Sequence, residues 1–141
     1  MERRGSAIWQ GSLKHGKGTI ATESRALHLV PYQFSTRFEA EPGTNPEELI
    51  AAAHAACFSM ALAHQLDLAK LKAERIVTAA AVTLDKQDSG WTIARVHLTV
   101  RGLIPGVNMP TFEKAANEAK ANCPVSKALN VPITIDLSLD A

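Results

Sequence analysis

The sequence predicts an α+β fold in which mostly antiparallel strands pack around one unusually apolar helix. Three observations carry this reading. The stretch "EELIAAAHAACFSMALAHQL", Glu47 to Leu66, has helical composition and almost no polar side. The run "ERIVTAAAVTLDKQDSGWTIARVHLTVRGLIPG" alternates apolar and polar residues on both sides of Asp88-Ser89-Gly90, the pattern of a long antiparallel hairpin. The elements follow the order ββ(β)–α–ββ–α–α–β, with strands grouped rather than alternating one by one with helices.

Taken in order, "GSAIWQGSL" and "KGTIATES" are strand-like runs around Lys14-His15-Gly16 and form an N-terminal hairpin. "VPYQFSTRFE" reads as extended, because Pro31 biases its predecessor away from helix. In "EPGTNPEEL" a turn leads into a helix start. Asn45 suits the N-cap, Pro46 the first helical position, and Glu47 and Glu48 the positive end of the helix dipole. That helix is expected to reach Leu66 or Leu68. After the long hairpin, "MPTFEKAANEAKANC" is amphipathic, with Phe112, Ala115, Ala116 and Ala119 at helical spacing. Pro124 stops it. "CPVSKAL" reads as a short third helix with Cys123 near its start, and "VPITIDLSL" as a final strand.

The bulk numbers narrow the function. The 141 residues suit one domain, 1–141, and 46% apolar content is enough for a core. Fifteen basic and fourteen acidic side chains nearly cancel, with no basic stripe, so no nucleic-acid partner is expected. The start "MERRGSAIWQG" has basic residues but no apolar stretch behind them, and is not read as a signal peptide. The apolar run Leu49 to Ala63 is interrupted by His54 and Ser59 and is shorter than the roughly 18 residues of a membrane span. The expectation is a cytoplasmic protein with no membrane partner. Two cysteines do not make a disulfide scaffold; in a reducing compartment they are two inert thiols or a redox couple.

Between Leu49 and Ala63 the only polar side chains are His54 and Ser59, roughly 140° apart around the helix. A helix apolar on all sides must be buried on all sides. One sheet covers one side. The other needs the chain's own hairpins or a second copy of the helix, and the many alanines allow close helix approach. A homodimer with paired central helices is the expected solution.

Cys57 sits in the middle of this helix, too far inside for the dipole to acidify it. Burial alone would raise its pKa and make it inert. Reactivity therefore needs a cation, and Arg37, ahead of the helix, is the best candidate. A guanidinium about 4 Å from the sulfur, at an effective dielectric near 20, supplies up to about 4 kcal/mol before desolvation. Glu47 is a plausible counter-charge for that arginine. Glu47 and Cys57 lie about 15 Å apart along one helix, so an Arg37 that touches both would reach the sulfur of a partner chain. Cys123 is a possible resolving thiol if the fold brings it to Cys57. On the residues alone, two separate structural cysteines is the simpler account, because free cysteine is among the most buried residue types. His54 and His64 invite a metal, but "HAAC" lacks convergent ligands, and His54 reads better as a hydrogen-bonded core histidine. A cysteine hydrolase would need an orienting Asn or Asp and an oxyanion hole that the sequence does not mark.

The segments "GTNPEELIAAAHAACFSMAL", "KGTIATES", "PYQFSTRFE" and "NCPVSKAL" together resemble the OsmC/Ohr family of osmotically inducible and organic-hydroperoxide-resistance proteins over essentially the whole chain. The Thr36-Arg37-Phe38 tripeptide resembles the OsmC branch more than the Ohr branch. The resemblance implies an intertwined α+β homodimer, antiparallel sheets around paired central helices, and two interfacial active sites. It implies a thiol-dependent peroxidase that reduces organic hydroperoxides to alcohols. By position, Cys57 matches the peroxidatic cysteine, Cys123 the resolving cysteine, Arg37 the activating arginine and Glu47 the glutamate that holds it. It further implies a Cys57–Cys123 disulfide recycled by a dithiol, lipoyl groups among them, with no metal, haem or flavin cofactor. The alternative is a non-catalytic dimer that binds a small apolar ligand in the interfacial pocket.

Overall fold

The computed structural model describes residues 1–141. The chain divides into two compact units, Met1–Leu49 and Ile50–Ala141. The first holds strands β1 (Gly5–Gln10), β2 (Lys17–Thr22) and β3 (Val30–Tyr32), a short helix α1 (Phe34–Phe38), and the first turn of α2 (Pro46–Leu68). The second holds the rest of α2, strands β4 (Arg75–Gln87) and β5 (Gly90–Leu103), helices α3 (Met109–Asn122) and α4 (Pro124–Ala128), and strand β6 (Ile133–Leu139). The α+β class and its two sheets agree with the expectation.

In the first unit the strands pair antiparallel in the order β1-β2-β3. Trp9 on β1 and Tyr32 on β3 tilt together over β2, ring centroids 5.4 Å apart. Gly18 lies beneath them because any Cβ there would strike the Tyr32 ring, the Trp9 ring and the Ile8 carbonyl. All of β1 is exposed, including Ile8 and Trp9. The segment after β3 departs from the extended form expected of it. Phe34–Phe38 makes one helical turn, so Arg37 stands on a helix and not in an extended loop. The Thr36 hydroxyl both accepts from the Gln33 N–H and donates to the Gln33 carbonyl, at 3.0 Å each. Asn45 then fastens this turn to the next: its Nδ2 donates to the Thr36 carbonyl at 3.0 Å, and its Oδ1 accepts from the Glu48 N–H at 2.8 Å. The second bond is the expected N-cap of α2.

In the second unit β4 and β5 form the long antiparallel hairpin, with a register shift between Thr83 and Leu84. Gly90 closes the turn at a φ of 108°, a conformation L side chains rarely adopt. The sheet order is β4-β5-β6. Here the expectation of antiparallel sheets needs correcting: β6 runs parallel to β5. A hairpin turn cannot make that pairing; α3 and α4 intervene and form the crossover it requires. The core lies between this sheet and two helices. Phe58, Leu62 and Leu66 of α2, Val96, Leu98 and Val100 of β5, and Phe112, Ala116 and Ala119 of α3 are all fully buried. The four α3 positions expected to face inward are its buried positions.

At 23 residues, α2 is long and apolar enough to cross a membrane by length and composition, which the interrupted run in the sequence did not convey. In this fold one side of it serves as core. His54 is fully buried and its Nε2 lies 2.8 Å from the Ser126 hydroxyl. The Ser59 hydroxyl donates to the Ala55 carbonyl and pairs with the Thr78 hydroxyl at 2.8 Å. The remaining stripe, Ala52, Ala53, Ala56 and Met60, is exposed in the single chain.

Replacing Leu98 by Ala should cost roughly 2–5 kcal/mol of stability, whereas Thr99→Ala, one residue on and facing outward, should stay within about 0.5 kcal/mol. Urea midpoints of the two variants check this. A second outcome concerns acid. Burial lowers the pKa of His54 from 6.5, so below that value the unfolded chain takes up a proton that the folded chain refuses. Stability should fall as the pH drops from 7.5 to 5.5, and His54→Gln should flatten that fall. Equal acid losses in both proteins would assign the effect to another group.

Candidate active site

The four candidate residues form two couples, one in each unit. In the first unit Arg37 on α1 meets Glu47 in the first turn of α2. The Arg37 Nη2 donates to Glu47 Oε1 at 2.8 Å, and its Nε lies 3.3 and 3.2 Å from Oε1 and Oε2. The two-ended Asn45 bridge sets this geometry by fixing α1 against the start of α2. The Glu47 side chain is only 10% exposed and that of Arg37 36%, so the carboxylate is enclosed while the guanidinium keeps an open side. Bidentate contact through Nε and Nη2 orients the guanidinium plane. The Phe38 ring, 5.0 Å from Arg37 Cζ, supports it from one face. Arg37 borders a cavity of about 220 Å³ whose other walls include Trp9, Leu13, Tyr32, Phe34 and Phe38. Trp9 is thus part of a mostly aromatic wall beside a cation.

In the second unit Cys57 and Cys123 are both free thiols, Cys57 partly buried and Cys123 fully buried. Cys57 lies midway along α2. Cys123 lies at the junction of α3 and α4, where its N–H still bonds the Ala119 carbonyl at 2.8 Å before Pro124 redirects the chain. Cys57 packs against the core cluster that includes Cys123, and each thiol shifts the acidity of the other. Burial pushes the Cys57 thiol up; the Val125 N–H opposes this, and Cys123 adds to it. Burial also pushes Cys123 up, but hydrogen bonds from the Ser126 N–H, Cys57, the Ser126 hydroxyl and the Val125 N–H outweigh it and leave that thiol below its ordinary value. The pair therefore titrates as a unit, with the proton favoured on Cys57.

Sequence reasoning missed the part played by Val125 and Ser126. Their signal was the spacing in "CPVS", which puts the second and third residues after Cys123 in the first turn of α4. His54 has the hydrogen-bonded core position expected of it, although its Nδ1 has no partner. A larger cavity, about 550 Å³, lies elsewhere in the second unit, along Gln65, Leu68, Pro110, Lys114 and Glu118, and includes none of the four candidates. A partly accessible thiol against a second thiol suits oxidation to a sulfenic acid and its capture as a disulfide.

Comparison with known proteins gives the same direction. Residues 38–138 match the family described as OsmC-like protein. The chain is 50% identical over 139 residues to the peroxiredoxin OsmC of Escherichia coli, covering 99% of this chain and 97% of that one. It is 38% identical over 127 residues to the organic hydroperoxide resistance protein OhrA of Bacillus subtilis, covering 86% and 88%. The crystal structure of OhrB from Bacillus subtilis superposes with a TM-score of 0.73 at 27% identity, over 97% of this chain and 98% of that one. By sequence over nearly its whole length, and by fold, this chain belongs to the OsmC family.

Proposed function

We propose that this protein is a cysteine-based peroxidase that reduces organic hydroperoxides to alcohols and works as an intertwined homodimer. The observation that carries the reading is that its only two cysteines, far apart in sequence, come together as free thiols in one core cluster. The names of its relatives, a peroxiredoxin and an organic hydroperoxide resistance protein, support the same chemistry.

The Cys57 thiolate attacks the distal oxygen of the hydroperoxide. The O–O bond breaks, the alkoxide takes a proton and leaves as alcohol, and Cys57 becomes a sulfenic acid. Cys123 then attacks the Cys57 sulfur, forming the disulfide and releasing water. A dithiol, a lipoyl group among the candidates, restores both thiols by exchange. The local surroundings oppose the first step, since burial raises the Cys57 pKa. The cation that reverses this is Arg37. Glu47 holds the Nε and Nη2 edge of the guanidinium, which leaves the other edge for a thiolate and for the charge that develops on the peroxide. Glu47 and Cys57 are ten residues apart, about 15 Å along α2, so the sulfur served is that of a second chain.

Two features of the single chain favour such a dimer. Strand β1 is exposed along its whole length, at the edge of a three-stranded sheet, so its apolar Ile8 and Trp9 meet water in the single chain. The exposed stripe of α2 includes Ala53 and Met60, which flank Cys57 at i−4 and i+3. A second copy on that stripe would cover the apolar surface and bring its own Arg37 to the edge where Cys57 lies. The aromatic cavity beside Arg37 would then take the alkyl part of the substrate, favouring bulky hydroperoxides over hydrogen peroxide. Free thiols of this kind call for a reducing compartment, so a cytoplasmic location belongs to the proposal.

Reduced protein mixed with cumene hydroperoxide and a dithiol should consume the peroxide, and Cys57→Ser should abolish turnover. Arg37→Ala should lower the rate by about 100-fold or more, and hydrogen peroxide should react more slowly than cumene hydroperoxide. A Cys57→Ser protein with full turnover would sink the reading. No turnover in the wild type with several peroxides and dithiols would favour the non-catalytic dimer, with an apolar ligand in the cavity beside Arg37.

A further inference from the structure

We propose that His54 and Ser126 are a positioning pair for the disulfide step: their hydrogen bond holds the Cys123 end of α4 against the Cys57 level of α2, and so sets how fast and how firmly the two sulfurs join. This role rests on the reading of Cys123 as the resolving cysteine. It belongs to two residues that the peroxide-reducing step does not use.

Helical spacing places the pair. His54 lies three residues before Cys57 on α2, and Ser126 lies three residues after Cys123, the N-cap of α4. Residues three apart are neighbours on a helix surface. The Lys127 N–H bonds the Cys123 carbonyl at 3.0 Å, which closes the turn that carries Cys123 and Ser126 together. A bond from His54 to Ser126 is therefore one step from the place where Cys57 packs against the cluster that includes Cys123. His54 Nε2 and Ser126 Oγ are 2.8 Å apart, and both side chains are buried. Among nitrogen and oxygen groups this is the only side-chain hydrogen bond between α2 and residues 109–128. The rest of that shared core is apolar: Phe58 and Leu62 of α2 with Phe112, Ala115, Ala116 and Ala119 of α3. Apolar contact has no direction, whereas a hydrogen bond has a defined length and angle.

The same bond is a poor source of stability. His54 Nδ1 is buried with no partner, a cost that an apolar residue would avoid. Burial keeps the ring neutral, so no charge strengthens the bond. What it supplies is register, and a disulfide demands register: the sulfurs must close to about 2 Å with a dihedral near 90°. Two thiols held in that relation react as one molecule, at a high effective concentration.

In the step itself the Cys123 sulfur attacks the Cys57 sulfenic sulfur. The S–S bond forms, the S–O bond breaks, and the sulfenic hydroxyl leaves with the Cys123 hydrogen as water. The Cys123 sulfur is oxidised and the sulfenic sulfur is reduced. His54 and Ser126 neither give nor take a proton.

Two measurements test the pair in the whole chain. In the first, reduced protein receives one equivalent of cumene hydroperoxide without dithiol; sulfenic acid is trapped with dimedone at timed intervals, and disulfide is read by mass spectrometry. In the second, the disulfide is equilibrated with dithiothreitol, which reports the effective concentration of one thiol at the other and needs no peroxide. In Ser126→Ala and His54→Leu the sulfenic acid should form and then persist, its conversion to disulfide slowed by about tenfold or more. Dithiothreitol should reduce their disulfide at a correspondingly lower ratio of dithiol to oxidised dithiol. The double variant should be no slower than either single one, because both remove the same bond. His54→Gln, which still offers Ser126 an amide, should recover most of the rate. Wild-type closure and a wild-type dithiothreitol equilibrium in folded Ser126→Ala would overturn the role. Losses that multiply in the double variant, or an equal loss in His54→Gln and His54→Leu, would assign the effect to packing and overturn it too. If His54→Leu does not fold, Ser126→Ala and His54→Gln decide. A wild type that forms no sulfenic acid would refute the peroxidase reading, and the dithiothreitol equilibrium would still decide on the pair.

Discussion

Between Leu49 and Ala63 the helix α2 offers only two polar side chains, and both are engaged inside the second unit, His54 by Ser126 and Ser59 by Thr78. Everything else it presents is apolar, and a helix of that kind must be covered wherever it faces. One side is covered by β5 and α3, through Phe58, Leu62 and Leu66. The other is Ala52, Ala53, Ala56 and Met60, which in one chain meet water. The rest of the structure answers to this constraint. It makes α2 the centre of the proposed dimer, and it puts Cys57 in surroundings where a thiol, left to itself, does not ionise.

Charge is accordingly kept apart from sulfur within each unit. The first unit contains the arginine with its carboxylate, and the second the two thiols with only neutral donors around them. Enclosing the Glu47 carboxylate would be costly without Arg37, and the bidentate bond offsets that cost while fixing the direction of the guanidinium. Asn45 makes the arrangement possible with one side chain, capping α2 through its oxygen and holding α1 through its nitrogen. Loss of that amide would release the cation's support at both ends.

Much of this was legible in the sequence. The long hairpin, the inward face of α3, the Asn45 cap and the stop at Pro124 all follow from local rules, because periodicity, capping and proline act over a few residues. What was not legible depends on contacts made at a distance. The turn Phe34–Phe38 is too short to leave a helical period, and it is held by Asn45 from nine residues away. The direction of β6 follows from the crossover through α3 and α4, which strand alternation does not record. The approach of Cys123 to Cys57 is likewise a product of the fold. By residues alone two unrelated thiols were the simpler account, and it was resemblance that joined them. The roles of Val125 and Ser126 were hidden for a different reason: their N–H groups act on sulfur from the backbone, and a backbone donor has no letter in the sequence.

The two thiols also raise a question of order. In the single chain Cys123 is the more acidic of the two, held so by Ser126 and Val125, yet it is the one with no exposed surface. Cys57 is the less acidic but reachable, at the margin of the uncovered stripe. Acidity and access therefore favour opposite residues. Access must decide first, because a peroxide too bulky to enter the core cannot meet a fully buried sulfur at all. The proposed approach of Arg37 at the open edge of α2 would then correct the acidity of Cys57 at the one place where a substrate can arrive. The acidity of Cys123 would not be wasted: a resolving thiol needs no oxidant from outside, only a lost proton and a neighbouring sulfenic sulfur.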